Sequence, residues 1–128
     1  MKILLDTCTF LWIASNSPRL SKSAAAAFPD RANECYLSAA SAWEIAIKYA
    51  TGRLSLSEKP DVFIPRVREA SDIESLEIDE ESAMRAGRLP GFHSDPFDRM
   101  LVAQAIVHGM TILTPDPEIE RYGVRVLW

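Results

Sequence analysis

Five short apolar runs along the chain have the length and composition of β-strands. They are KILL at 2–5, CYLS at 35–38, IESLEI at 73–78, TILT at 111–114 and VRVLW at 124–128. Three of these runs are almost continuously apolar, as expected of strands that are covered on both faces. The pattern favours a sheet that lies between layers of helices.

Helical patterns occupy the segments between these strands. Four apolar residues recur on one helical face before Gly52, namely Ala42, Ile45, Ala46 and Tyr49. A second apolar run extends from Phe97 to Val107 and stops before Gly109, a residue type suited to a helix end. The sequence SKSAAAAF at 21–28 combines a serine cap with alanines, the strongest helix formers. Helices therefore alternate with strands along the chain.

This alternation predicts an α/β fold with a mainly parallel sheet and right-handed crossovers. The segment 60–70 is a weaker helical prediction, because Pro65 is unfavourable deep inside a helix. The 128 residues, of which 48% are hydrophobic, suffice for one ordinary core. Since no repeat or linker interrupts the pattern, we expect a single domain over 1–128.

The charge balance argues against a protein that holds nucleic acid by surface charge alone. The net charge is −4, from 14 basic and 18 acidic side chains, whereas such binders are strongly basic. If four carboxylates served a cation, 18 − 4 = 14 acids would remain beside 14 bases. Charge alone therefore does not decide the partner.

The N-terminal segment and the two cysteines argue against a secreted, membrane-bound or zinc-binding protein. Asp6 interrupts the first apolar run before it could act as a signal sequence, and no apolar stretch is long enough to span a membrane. Cys8 and Cys35 lie in apolar surroundings without a CxxC motif or a Cys/His cluster, which favours buried thiols over a disulfide, a zinc site or a nucleophile. We expect a cytoplasmic protein that does not associate with membranes.

The stretch HSDPFDRMLVAQA at 93–105 opens an apolar helix with two aspartates. Asp95 suits the N-cap, Pro96 suits the first helical position, and Asp98 falls where a capping-box acid reaches back. A helix start alone explains this pattern. A further role for Asp98 requires other carboxylates at the same place.

Four carboxylates are predicted to lie at one rim of the sheet, and they are Asp6, Glu44, Asp98 and Asp116. Functional groups of open parallel sheets gather at the carboxyl ends of strands and at the helix starts that follow. Asp6 and Asp116 follow the first and fourth strands, while Glu44 and Asp98 fall in the first turns of predicted helices.

Each carboxylate also has a purely structural interpretation. Glu44 could form a capping box with Ser41 and an ion pair with Lys48, and Asp116 before Pro117 could cap a short turn. For any single residue the structural interpretation is favoured. Four converging carboxylates repel one another, however, so a stable fold needs a cation there. Oxygen ligands without cysteine or clustered histidine favour Mg²⁺ or Mn²⁺, and such ions support phosphodiester hydrolysis.

Four ordered blocks of the sequence resemble the PIN domain, most closely the VapC-type toxins of bacterial toxin–antitoxin pairs. The blocks are LLDTCTFLW, SAWEIAIKYATGRLSL, HSDPFDRMLVAQA and ILTPDPEIERYGVRVLW. They cover nearly the whole chain. The resemblance implies a PIN-like three-layer α/β/α sandwich around a five-stranded parallel sheet of order 3-2-1-4-5.

The same resemblance implies an endoribonuclease that depends on Mg²⁺ or Mn²⁺ and releases a 3′-hydroxyl and a 5′-phosphate. By correspondence of blocks, its catalytic residues are Asp6, Glu44, Asp98 and Asp116. Asp6, Asp98 and Asp116 are expected to bind the metal, and Glu44 to complete the site by binding metal or orienting water. Asp95 is then the cap. The resemblance further implies an RNA substrate, a cognate VapB-type antitoxin and a homodimer.

Three other classes of protein share part of this pattern. A phosphoacceptor receiver needs a paired acid after the first strand and a late lysine, and both are missing. A haloacid-dehalogenase-type phosphatase needs a second aspartate two residues after Asp6, where Cys8 stands. The remaining alternative is a catalytically inactive PIN-like module that binds a protein through its carboxylates. The presence of all four acids argues against it.

Two pairs of polar residues near the rim are secondary candidates. Thr7 and Thr114 adjoin acids and could support them, although strand-end threonines often bond only local backbone. Lys48 and Arg99 could touch phosphate, but an ion pair or a solvated face explains them equally well.

The histidines and tryptophans are assigned structural roles. Neither His93 nor His108 belongs to a nucleophile-and-base arrangement, so we expect a loop role and a helix-end role. Trp12, Trp43 and Trp128 are expected in the core or at an interface rather than as platforms for base stacking.

Overall fold

The structure is a computed structural model that describes residues 1–128. Its strands are β1 (Lys2–Leu5), β2 (Glu34–Ser38), β3 (Ile73–Leu76), β4 (Thr111–Leu113) and β5 (Val126–Leu127). Its α-helices are α1 (Thr7–Ala14), α2 (Lys22–Ala27), α3 (Ala39–Ala50), α4 (Pro60–Ala70), α5 (Glu80–Arg88) and α6 (Pro96–His108). One 3₁₀ helix, Pro117–Tyr122, lies between β4 and β5.

The five strands form one parallel sheet in the order β3-β2-β1-β4-β5. This arrangement confirms the predicted parallel sheet and the strand order that the resemblance implies. In the register of the central strands, Leu5 of β1 lies beside Leu37 of β2 and Leu113 of β4. Because these strands end at the same level, the residues that follow them meet at one edge of the sheet.

Both faces of the sheet are covered by helices, which explains the continuous apolar run of β1. Ile3 and Leu5 are fully buried in one cluster, where Phe10 of α1 and Ile45 of α3 pack against them. Leu4, on the opposite face, is buried with Val102 of α6. The result is the predicted three-layer α/β/α sandwich, since alternate residues of one strand enter two separate cores.

The two edge strands are shorter than the predicted runs. β3 ends at Leu76, although the apolar pattern extends to residue 78, and β5 contains only Val126 and Leu127 of the predicted 124–128. Each edge strand has a neighbour on one side only. Fewer backbone hydrogen bonds therefore define its length than define a central strand.

Pro65 lies inside α4 and does not interrupt it. A proline in a helix removes one backbone hydrogen bond and costs about 3 kcal/mol. The helix buries Phe63, Ile64 and Val67 in the same cluster as the central strands. Burial of three such side chains stabilises the helix by more than the proline costs, so the doubt about segment 60–70 is resolved in favour of a helix.

The sequence patterns do not predict α1 and α5. The sequence of α1, TCTFLWIA, is almost wholly apolar and lacks the polar face that marks a surface helix. The sequence of α5, EESAMRAGR, is short and mostly polar. Only α1 therefore lacks a helical period, whereas α5 is amphipathic, with two glutamates in its first turn and two arginines in its last, a signal that the predictions above overlook. None of the helices combines the length and apolar composition needed to cross a membrane.

Candidate functional site

Asp6 lies where β1 ends and α1 begins, and it serves as the N-cap of α1. Its Oδ1 accepts a hydrogen bond of 2.8 Å from the backbone N–H of Thr9. Its Oδ2 accepts a 2.5 Å hydrogen bond from Oγ1 of Thr114, the residue that follows β4. The carboxylate is therefore held between the ends of two neighbouring strands.

Asp98 lies in the first turn of α6, as the sequence predicts. The cap of this helix is Asp95, whose Oδ1 accepts from the N–H of Phe97 at 2.8 Å and of Asp98 at 3.4 Å. The Asp98 carboxylate does not reach back to complete a capping box, and among the hydrogen bonds of the protein none ends on it. One aspartate thus starts the helix and the other is left free.

The pKa of Asp98 is raised to about 6, chiefly by burial. The negative charges of Asp95, Glu44 and Asp6 raise it further, while His93 lowers it. Burial and neighbouring carboxylates both disfavour the ionised form. Of the four predicted acids, Asp98 is the one whose charge the protein itself leaves uncompensated.

Asp116 follows β4 and caps the 3₁₀ helix, which confirms its predicted role at a short turn. Its Oδ1 accepts from the N–H of Glu118 at 2.9 Å, and its Oδ2 lies 2.8 Å from Nε2 of His93. Its own N–H donates to Oγ1 of Thr114 at 3.1 Å. Thr114 therefore contacts both Asp6 and Asp116, as its supporting role predicts.

Three of the four predicted acids line one small cavity. Asp6, Asp98 and Asp116 surround a space of about 20 Å³ whose other walls include Thr114 and Leu101. A space of this size holds about one water molecule or a small ion. The prediction that these three acids lie at one edge of the sheet agrees with the structure, because the ends of parallel strands and the starts of the following helices meet at that edge.

Glu44 is buried beside this group but does not line the cavity. Its Oε1 accepts a 2.6 Å hydrogen bond from Oγ1 of Thr7, and its Oε2 forms a 2.6 Å ion pair with Lys48. The ion pair four residues along the helix confirms the structural interpretation of Lys48. Glu44 is near enough to Asp98 to raise its pKa.

The predicted capping box at Glu44 is wrong. The cap of α3 is Ser38, whose Oγ accepts from the N–H of Ala40 at 3.0 Å, so Glu44 falls in the second turn rather than the first. Ser41 instead lies buried inside the helix with its Oγ 3.0 Å from Oγ1 of Thr7, to which it donates because the Thr7 proton is given to Glu44. Because the helix begins directly at the end of β2, Glu44 is carried inward to face the end of β1.

The donor chemistry of the cavity fits a hard divalent cation. Its charged groups are carboxylates alone, and oxygen ligands of this kind suit Mg²⁺ or Mn²⁺. As the side chains stand, no group of three His, Cys, Asp or Glu residues has the arrangement of a metal site. Asp6 and Asp116 are turned toward hydroxyl, amide and imidazole donors. The uncompensated carboxylate of Asp98 is the feature that a cation would satisfy.

Arg99 does not face the rim. Its guanidinium donates to four backbone carbonyls, at 2.8 Å to Ala86, 2.9 Å to Leu89, 2.9 Å to Pro90 and 3.2 Å to His93. It therefore closes the carboxyl end of α5 and fixes the segment before α6. Four of its five N–H donors are used in this way, which favours a structural role for Arg99 over a phosphate contact.

The remaining candidates have the structural roles that the sequence favours, with one exception. His108 ends α6 and contacts Asp79, the cap of α5, at 2.9 Å. Trp12 packs against Trp128 with ring centroids 5.8 Å apart. Trp43 is the exception, since it is 62% exposed with its ring at the edge of Phe97. It is not a core residue, and its place at an interface stays a prediction.

Both cysteines are free thiols, as predicted. Cys35 is buried, whereas Cys8 is half-buried with its Sγ 3.3 Å from Oδ1 of Asp6. Burial, followed by the charge of Asp6, raises the pKa of Cys8 to about 12. The thiolate, which is the nucleophilic form, is therefore disfavoured.

The sequence analysis does not predict the contacts of two polar residues, one at the site and one in the core. His93, assigned a loop role, contacts both Asp116 and Tyr122 through its ring. Gln104 is fully buried, accepts a 2.6 Å hydrogen bond from Ser38 and donates a 3.0 Å bond to the carbonyl of Glu77. A glutamine inside an otherwise apolar helical run is a signal of such a buried contact. No local signal pairs His93 with Asp116, which is 23 residues away.

Comparison with known proteins decides the family. A sequence profile of the PIN domain matches residues 3–125. The chain belongs to the PIN domain family. The predicted resemblance is thereby confirmed, and this PIN domain is 29% identical over 121 residues to ribonuclease VapC22 of Mycobacterium tuberculosis, with 94% of this chain and 91% of that protein covered.

Solved structures support the same fold. The VapBC2 complex of Rickettsia felis, described as bound to a promoter DNA fragment, contains a chain with a TM-score of 0.74 at 15% identity, with 99% of this PIN domain and 98% of that chain covered. FitAcB of Neisseria gonorrhoeae gives a TM-score of 0.62 at 22% identity, with 98% and 96% covered. At these identities the likeness concerns the fold.

Proposed function

We propose that this PIN domain is a metal-dependent endoribonuclease and the toxin of a VapBC-type toxin–antitoxin pair. The observation that carries the proposal is the cavity lined by Asp6, Asp98 and Asp116 at the carboxyl edge of the sheet. The similarity to a VapC ribonuclease supports RNA as the substrate. The similarity to VapBC and FitAB complexes supports a VapB-type partner.

In this proposal Asp6, Asp98 and Asp116 hold Mg²⁺ or Mn²⁺, and Glu44 completes the site. When bound, the ion supplies the charge that activates water and stabilises the leaving oxygen. Thr114 keeps Asp6 and Asp116 in place, and Thr7 and Lys48 hold the two oxygens of Glu44. The Glu44 carboxylate is thereby positioned to orient a water molecule beside Asp98.

Hydrolysis by activated water leaves a 3′-hydroxyl and a 5′-phosphate and does not use the RNA 2′-hydroxyl. The carboxylates reject free phosphate oxygens unless a cation lies between them, because like charges at a few ångströms repel. Residues 1–128 are proposed to act as one cytoplasmic PIN domain that forms a homodimer and is inhibited by its antitoxin.

Cleavage of total cellular RNA by purified, antitoxin-free protein tests the proposal. Reactions with Mg²⁺ or Mn²⁺ are compared with EDTA and with two matched variants, Asp98→Asn and Asp95→Asn. Both variants remove one negative charge from the same helix start, but asparagine is a good cap and residue 95 lies outside the cavity. We expect discrete products from the wild type and Asp95→Asn only.

The products distinguish the proposal from its competitors. A 2′,3′-cyclic phosphate, or cleavage that persists in EDTA, would contradict hydrolysis by metal-activated water. If the folded protein cleaves no RNA with either ion, the catalytically inactive binding module becomes the better interpretation.

A further inference from the structure

The ring of His93 connects the two ends of the 3₁₀ helix that follows β4. Its Nε2 lies 2.8 Å from Oδ2 of Asp116, which caps the start of this helix, and its Nδ1 lies 2.8 Å from the hydroxyl of Tyr122, the last residue of the helix. The His93 side chain is only 12% exposed. A buried ring with partners at both nitrogens has one orientation.

The chemistry of the partners sets the direction of these hydrogen bonds. An ionised carboxylate only accepts, so Nε2 of His93 carries the proton and donates to Asp116. In the neutral ring Nδ1 is then an acceptor, and the Tyr122 hydroxyl donates to it. Asp116 therefore selects the tautomer, and the Tyr122 hydroxyl holds the ring in the orientation that this contact needs, just as an outer partner orients a histidine at a metal site.

The backbone of His93 is fixed as firmly as its ring. Arg99 donates to the carbonyl of His93 and to three further carbonyls from Ala86 to Pro90. Arg99 directly follows Asp98 in α6. The helix that places Asp98 in the cavity thus also holds the loop whose histidine holds Asp116, on the opposite wall.

We propose that His93 is a positioning residue that fixes the Asp116 carboxylate relative to Asp98, so that both can engage one cation. The presence of a cation in this inference rests on the proposed function. The contact between His93 and Asp116 does not depend on that function. The remaining lone pairs of Asp116 stay available, because a carboxylate offers about four acceptor sites and the protein occupies two of them. Loss of the ring frees Asp116 to turn away from Asp98.

The experiment compares His93→Ala, His93→Gln and Tyr122→Phe with a matched control, His108→Ala. His108 also contacts an aspartate that caps a helix, at 2.9 Å, but this pair lies outside the cavity. Two quantities are measured on each purified protein: Mn²⁺ affinity by calorimetry at one fixed pH, and the ¹³C resonance of the Asp116 carboxyl in the metal-free protein. A thermal melt accompanies each variant.

We expect His93→Ala to weaken Mn²⁺ binding by roughly 10- to 100-fold, the usual effect of removing an outer partner of a ligand. It should also move the Asp116 resonance. His93→Gln, whose amide can donate in place of Nε2, should restore most of both quantities. Tyr122→Phe should cause a smaller change in the same direction, and His108→Ala should leave both at the wild-type values.

Three results would overturn the inference. One is a folded His93→Ala protein with unchanged Mn²⁺ affinity and an unmoved Asp116 resonance. Another is tighter Mn²⁺ binding by His93→Ala, which would mean that the imidazole competes with the cation. If His93→Ala fails to fold, Tyr122→Phe decides instead, and an unmoved Asp116 resonance with unchanged Mn²⁺ affinity in that folded variant contradicts the inference. A wild type that binds no Mn²⁺ refutes the proposed function instead, and the metal-free resonance still decides the role of His93.

Discussion

Oγ1 of Thr114 donates a 2.5 Å hydrogen bond to Oδ2 of Asp6, across the junction between β4 and β1. The same oxygen accepts the N–H of Asp116. Thr114 is 1% exposed, so bulk solvent does not compete for either bond. One buried hydroxyl therefore sets the distance between two of the three acids that line the cavity.

Thr114→Val should reduce RNA cleavage by roughly 10- to 100-fold and the free energy of unfolding by about 1–3 kcal/mol. The substitution keeps the shape but removes the donor to Asp6 and the acceptor for Asp116. Thr9→Val is the control, because Thr9 is equally buried and its hydroxyl donates only to the carbonyl of Leu113. Similar loss of stability with nearly full activity is expected there. Equal activity of the two variants would refute the role of Thr114.

Asp98→Asn should make the metal-free protein more stable at neutral pH. The pKa of Asp98 is about 6 in the folded state, above its ordinary value of 3.8. Between these values the folded state holds a proton that the unfolded chain releases, so wild-type stability falls as the pH rises through this window and stays lower above it. After allowance for solvent screening, the gain from the substitution above pH 6 is about 1 kcal/mol.

Denaturant unfolding of both proteins at pH 3.5 and pH 7.5, in EDTA, measures this difference. The advantage of the variant should nearly vanish at the lower pH, where the folded state holds the proton and most of the unfolded chains hold it too. Adding Mn²⁺ should reverse the order at pH 7.5, because only the wild type gains binding energy. A difference that is independent of pH would show that the carboxylate charge is not the cause. Asp95→Ala, which removes the cap, should lose stability in every condition.

Arg99→Lys should lower the free energy of unfolding by about 2–3 kcal/mol. A lysine has three donors on one nitrogen and cannot reach the four carbonyls that the planar guanidinium serves. Chemical denaturation measures the loss. Arg88→Lys is the matched control, since Arg88 is exposed at the end of α5 and makes no hydrogen bond. If Arg99→Lys kept full stability and only weakened RNA binding, a phosphate contact would be the better explanation.

Gln104→Leu should cost about 1–3 kcal/mol of unfolding free energy, because it leaves the buried Ser38 hydroxyl without its acceptor and removes the donor to the Glu77 carbonyl. A double-mutant cycle with Ser38→Ala checks the assignment. The combined loss should be smaller than the sum of the two single losses, since both variants remove the same hydrogen bond. Strict additivity would mean that the two side chains do not interact.

Several features of this PIN domain follow from the sequence alone. The apolar runs predict the strands, and their alternation with helices predicts a parallel sheet whose carboxyl edge collects Asp6, Asp98 and Asp116. The different roles of Asp95, which caps α6, and Asp98, which lines the cavity, also follow from the sequence. Helix capping is local and depends on a few adjacent residues. These predictions succeed where the determining interactions lie within one helix or one strand.

Other features depend on residues that are far apart in the chain. Ser38 replaces Ser41 as the cap of α3, Pro65 is tolerated because its helix is held by packing, and Arg99 turns to carbonyls rather than to the rim. The hydrogen bond from His93 to Asp116 joins two loops that are adjacent only once α6 and β4 have packed together. Local patterns determine which acids reach the rim, whereas tertiary packing determines the partner of each acid, because hydrogen bonds between distant residues form only in the folded chain.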